Sequence, residues 1–118
     1  MVLHFADLPP ECMALVLSGD VFYHHKLYEG TYCLAENVSV NGHEYWYKPK
    51  GEMGVWFGQV YKGWIVGTIA FLGQDIGSMH GPFGQETWPT KNSNGYRYYN
   101  SSSWVPASSR DLRFYDRK

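Results

Sequence analysis

The sequence predicts an all-β domain, a small antiparallel meander of roughly six to eight short strands that closes into a barrel or sandwich. Three observations carry that prediction. Aromatic residues come in short groups, among them Tyr45-Trp46-Tyr47, Trp56-Phe57 and Tyr98-Tyr99. Glycines and Asn-Gly pairs punctuate those groups, as at Asn41-Gly42 and Asn94-Gly95. Between these punctuation points the apolar residues alternate with a period of two or run continuously over strand-like lengths.

The elements follow in order. Residues 1–11 read as an N-terminal arm, because Pro9-Pro10 cannot join a regular ladder, and residues 12–118 as a single β domain. Ala14-Leu15-Val16-Leu17 reads as a strand meeting the turn Ser18-Gly19; a short helix opened by Pro10-Glu11 is the alternative over residues 12–17. A second strand spans Gly30 to Glu36. Asn41-Gly42 marks a tight hairpin, since both residues tolerate the positive φ values that such a turn requires. Its arms are Val38-Ser39-Val40 and Glu44 to Lys48. In the second arm Tyr45 and Tyr47 are assigned to the core, which leaves Trp46 partly exposed on a polar face with Glu44 and Lys48. Strands are expected over Gly54 to Tyr61 and Trp64 to Phe71. They form the central hairpin, because they carry the densest apolar load and no proline. Residues 73–91, with Gly73, Gly77, Gly81-Pro82, Gly84 and Pro89 interspersed, read as one long irregular segment anchored by Trp88. The turn at Asn94-Gly95 enters a strand over Tyr96 to Asn100, Ser101-Ser102-Ser103 leads to Trp104, and a terminal strand at Leu112 to Tyr115 completes the sheet.

Composition excludes several classes of function. The 118-residue chain has a formal net charge of -1 and 18% charged residues, below the usual ~25%. Arg110, Arg113, Arg117 and Lys118 gather at the C-terminus, but Asp111 and Asp116 dilute them into a solvated edge. There is no electrostatic case for nucleic acid. No apolar run approaches the roughly 20 residues of a transmembrane helix. The N-terminus lacks the pattern of a signal peptide, which points to the cytoplasm unless the chain is an excised or mature extracellular domain. Cys12 and Cys33 allow one disulfide; two free or buried thiols are the preferred reading. Asn37-Val38-Ser39 and Asn100-Ser101-Ser102 are N-glycosylation sequons, relevant only in a secretory pathway.

Catalytic and metal chemistry finds little support. His24-His25 point to opposite faces of a strand, and His4, His43 and His80 have no chelating spacing. No zinc pattern occurs, and neither a metal nor a cofactor is expected. Carboxylates are scattered singly; Glu44 and Glu86 lie near aromatics without forming a catalytic pair. Cys12, Cys33 and Ser18 lack a nucleophile elbow, and Gly51-x-x-Gly54 lacks the helix of a phosphate loop. A small hydrolytic enzyme is therefore the least favoured reading.

The favoured reading is a noncatalytic binding or protein-interaction module that presents exposed aromatics. A lectin-like carbohydrate-binding domain is the alternative. Five tryptophans are hard to bury completely in a small core, although each can serve the core with its N–H at the edge. Trp46 with Glu44 and Lys48 is the first candidate surface; Trp88 and Trp104 in the late loops come next. The ligand would be a protein or a glycan.

The order of features also resembles an uncharacterised aromatic-rich β module found in large, often extracellular, proteins of protists and marine invertebrates. The resemblance is carried by Ser18-Gly19, Gly30-Thr31-Tyr32, Asn41-Gly42 with Tyr45, Trp56-Phe57, Trp64-Ile65, Pro89 and Trp104, spanning about residues 14 to 115. It implies a β fold and an adhesion-like setting. It transfers no catalytic residue, and the missing signal peptide departs from that setting.

Overall fold

The computed structural model describes residues 14–19, 26–49, 52–84, 89, 95–99 and 102–107, and the backbone of 113–117. The expected N-terminal arm, Cys12, His24-His25, Glu86 and Trp88 lie outside the described residues, as does Asn100.

The described chain is all-β. Its strands are β1 (Ala14–Ser18), β2 (Gly30–Val40), β3 (His43–Tyr47), β4 (Met53–Phe57), β5 (Trp64–Thr68), β6 (Met79–His80), β7 (Arg97–Tyr99), β8 (Trp104–Pro106) and β9 (Arg113–Arg117). They form one antiparallel sheet in the order β8-β7-β6-β5-β4-β3-β2-β1-β9. Eight consecutive strands are a plain meander. The ninth returns to pair with β1, at Leu17↔Phe114 and Val16↔Tyr115 among others, which is the terminal strand completing the sheet.

Hairpin chemistry sets the first register. Asn41 (φ 56) and Gly42 (φ 82) occupy the left-handed region and return the chain with Val40 opposite His43. The Asn41 Nδ2 group then donates to the carbonyls of Phe57 (2.7 Å) and Gly73 (3.0 Å). The turn is thereby tied to the end of β4 and to the segment after β5. Along β2 and β3, Leu34 opposes Trp46 and Ser39 opposes Glu44. Ala35 through Val38 thus stand where β3 has Tyr45 alone, and the extra length forms a bulge with Asn37 at φ 63.

The faces of β3 are the reverse of those expected. Trp46 is fully buried, whereas Tyr47 is exposed and Tyr45 half-buried. Trp46 is on the row Leu34↔Trp46↔Val55, and directly opposed residues of antiparallel strands share a face. Val55 and Trp46 both belong to the core cluster, with Leu34 packed against it, so Trp46 points inward and the flanking tyrosines outward.

The central hairpin is β4–β5, as its apolar load predicts. Every residue of β4 is buried, and so are the first four of β5. Both strands are shorter than expected: β4 ends at Phe57 and β5 at Thr68, followed by a 3-10 turn over Ile69–Phe71. Residues 73–91 are not wholly irregular, since Met79–His80 make a two-residue strand against Ile65 and Val66. So short a strand carries no periodic signal of its own.

Two rows of opposed residues cross the sheet from β4 to β8. Val55, Val66, Met79, Tyr98 and Val105 form the inner row; Trp56, Ile65, His80, Arg97 and Pro106 form the outer row. The inner face holds the core, where Leu15, Leu17, Tyr32, Trp46, Val55, Trp64, Met79, Tyr96 and Ala107 belong to one cluster. Leu15 on β1 and Ala107 just beyond β8 would be roughly 34 Å apart in a flat sheet, at seven strand spacings of about 4.8 Å. The sheet instead curls into a half-barrel around this one cluster. Across the curl the Ser78 hydroxyl donates to the Tyr28 hydroxyl at 2.8 Å.

Candidate functional site

The outer face divides into a covered half and an open half. After the 3-10 turn, residues 72–78 cross the outer face as a strap. The Trp56 indole N–H donates to the Gln74 carbonyl at 2.8 Å beneath it. A Cβ on Gly77 would stand 2.5 Å from Ile65 Cγ2 and 2.6 Å from the Val66 carbonyl oxygen, and one on Gly67 would stand 2.9 Å from Gly77 Cα. Two glycines are needed for backbone to lie on backbone this closely. Trp56 and Ile65 are completely buried as a result.

The strap rejoins the sheet as β6, and the outer row beyond it is open. Five rings gather there from three parts of the chain. His80 on β6 stacks on Trp104 of β8, with centroids 4.2 Å apart and planes at 30°. Tyr99 of β7 lies against Trp104 at 5.4 Å. On the other side of His80, Tyr61 from the β4–β5 turn approaches to 4.7 Å, and Phe83 from the segment after β6 meets Tyr61 at 5.6 Å. The continuous strip Phe83–Tyr61–His80–Trp104–Tyr99 is solvent-facing: Phe83 is 67% exposed, Tyr99 40% and Trp104 37%. The exposed Arg97 opposes His80 in the ladder.

The strip is held in place by polar contacts beneath it. The Asp75 carboxylate accepts from the backbone N–H groups of Val60 (3.3 Å) and Tyr61 (2.6 Å), joining the strap to the β4–β5 turn. That turn closes with Lys62 at φ 60 and with Gly58 N–H donating to the Gly63 carbonyl at 2.8 Å. The Tyr61 hydroxyl donates to the Gly81 carbonyl at 2.8 Å. Burial raises the Tyr61 phenol above its ordinary pKa, with Arg97 pulling the opposite way. Burial likewise lowers the His80 pKa, against an opposing pull from Asp75. A mostly neutral imidazole between two π-faces, next to one guanidinium, suits stacking and cation–π contact with a ligand. The Asp75 carboxylate is already engaged by two backbone donors.

The residues proposed from sequence separate. Trp104 is on the strip. Trp46 is in the core, in edge contact with Trp64 at 5.7 Å, and cannot be a contact surface without unfolding. Lys48 donates to the carbonyls of Leu27 (2.8 Å) and Glu29 (2.7 Å). It clamps the 3-10 turn Lys26–Tyr28, and desolvation lowers its pKa against the pull of Glu29. Glu44 is exposed on the β2–β3 hairpin. Trp46, Glu44 and Lys48 thus form no joint surface. Tyr61, His80, Phe83 and Tyr99 were not singled out from sequence. Their one local signal is that each stands within two residues of a glycine or another aromatic, a property shared by most aromatics in this chain.

Cys33 is disulfide-bonded, which overturns the preferred free-thiol reading for that residue. Among the described residues no three His, Cys, Asp or Glu side chains are grouped to hold a metal ion, and no helix is long and apolar enough to cross a membrane. No family model matches the chain, and neither a curated protein nor a solved structure is significantly similar to it.

Proposed function

We propose that the protein is a noncatalytic binding module whose contact surface is the outer-face strip Phe83–Tyr61–His80–Trp104–Tyr99. The observation that carries this reading is the contrast between the two halves of one sheet face. The strap buries Trp56 and Ile65, whereas the half of the face beyond it carries a chain of ring contacts in which Phe83, Tyr99 and Trp104 are exposed and Tyr61 and His80 half-buried. Rigid, partly exposed aromatics beside an arginine are the residues that dominate binding hot spots. Their side chains lose little conformational freedom when a partner arrives. The ligand is a protein segment; the adhesion-like context of the resembling modules supports the same reading.

A glycan is the second reading, favoured by the tilted pair of Trp104 and Tyr99 beside Arg97 at one end of the strip. A glycan array and a displayed-peptide library, each probed with the folded protein, distinguish the two. Trp104→Ala is expected to weaken any saturable ligand at least about tenfold, with the far-UV spectrum and cooperative melt retained. Binding that is indifferent to Trp104→Ala, Tyr99→Ala and Phe83→Ala alike would remove the strip from the function.

A further inference from the structure

We propose that Asn37 is an N-glycosylation site, occupied in the folded protein. Several observations meet there. The sequon Asn37-Val38-Ser39 lies on the β2 bulge, where Glu36, Asn37, Val38 and Ser39 are all exposed in succession. A strand normally alternates its exposure; this break presents the whole acceptor tripeptide to solvent. Asn37 has φ 63, a left-handed conformation that asparagine tolerates far better than most residues. It also lies in the interruption of the β2–β3 ladder between Leu34 and Ser39, and its side chain is exposed there. Finally, Cys33 on the same strand is disulfide-bonded. Disulfides persist in oxidising compartments, and the secretory route that oxidises thiols is also the one that attaches N-glycans.

The chemistry balances with a polyprenyl-diphosphate-linked oligosaccharide as the donor. The Asn37 Nδ2 atom bonds to C1 of the first sugar and the C1–O bond to the diphosphate breaks. The lipid diphosphate leaves, and the amide loses one proton to solvent. Val38, 50% exposed, then gains cover from the attached sugar, since the apolar faces of sugar rings shield exposed aliphatic side chains.

The test is expression of the full chain behind a cleavable secretion signal in a eukaryotic host, with Asn100→Gln removing the other sequon. Folded protein is pooled from cells and medium, so that poor export does not hide the result. Peptide-N-glycosidase treatment in heavy-oxygen water converts a glycosylated asparagine to heavy aspartate, read by peptide mass spectrometry. The expected result is heavy aspartate at position 37 in most copies. The label is lost in Ser39→Ala, which leaves the Asn37 backbone untouched. An unlabelled position 37 in the folded pool would overturn the proposal, as would glycosylation confined to aggregated protein.

Discussion

His80 shows how one residue couples the strip to pH. Its ring is held between Tyr61 and Trp104, and burial keeps its pKa below the ordinary histidine value of about 6.5. The charged groups around it are Asp75, which opposes the shift, and Arg97, its partner in the ladder. Between the two pKa values the unfolded chain binds the proton and the folded chain does not, so stability rises with pH there. This contribution is fully present above about pH 6.5 and is lost as pH falls toward the folded pKa. Melting temperatures across that window should therefore fall more steeply for the native protein than for His80→Gln. Parallel slopes would show that the ring titrates as it does in the unfolded chain.

At the scale of elements, the strap and the β4–β5 hairpin act as one unit. The strap covers Trp56 and Ile65, and through Asp75 it also positions the turn that carries Tyr61. Gly77 is the point of closest approach: a Cβ there meets the Val66 carbonyl carbon at 3.1 Å and its oxygen at 2.6 Å, and backbone does not give way as a flexible side chain would. Gly77→Ala is expected to lift the strap at a cost of about 1–3 kcal/mol, measurable by urea unfolding. It should also weaken ligand binding by displacing Tyr61, even though residue 77 is not on the strip. Unchanged stability would mean that the strap relaxes freely. The hairpin turns behave differently from the strap. Asn41-Gly42 was legible in the sequence because its two residues determine their own φ values. The strap was not, because nothing in residues 72–78 taken alone says that they cross Gly67.

At the scale of the whole molecule, the curl decides what each tryptophan does. Trp46 and Trp64 are buried inside it in edge contact, and Phe57 and His43, stacked on each other, both meet Trp64 edge-on. Trp56 is buried outside it, and Trp104 reaches solvent. Trp46→Ala is expected to cost about 3–5 kcal/mol through cavity formation at the centre of the core. Trp104→Ala, already 37% exposed, should cost roughly 1–2 kcal/mol. Chemical denaturation of the two variants measures both, and equal losses would contradict the division of labour between core and strip.

By itself the sequence determined the all-β class, the central β4–β5 hairpin, the Asn41-Gly42 turn and the returning terminal strand. Each rests on short-range chemistry, either the φ preference of a turn residue or the apolar load of a strand. Tertiary structure alone decided which aromatics face outward. Trp46 turned inward because Leu34 and Val55 flank it in the ladder, and the β2 bulge absorbed the mismatch that its neighbours imposed. The strip was equally out of reach, since Tyr61, the pair His80 and Phe83, and the pair Tyr99 and Trp104 come from three parts of the chain that meet only when the curled sheet sets β6, β7 and β8 beside the β4–β5 turn. A strand pattern specifies alternation, but which alternate face is covered depends on what the rest of the chain lays over it.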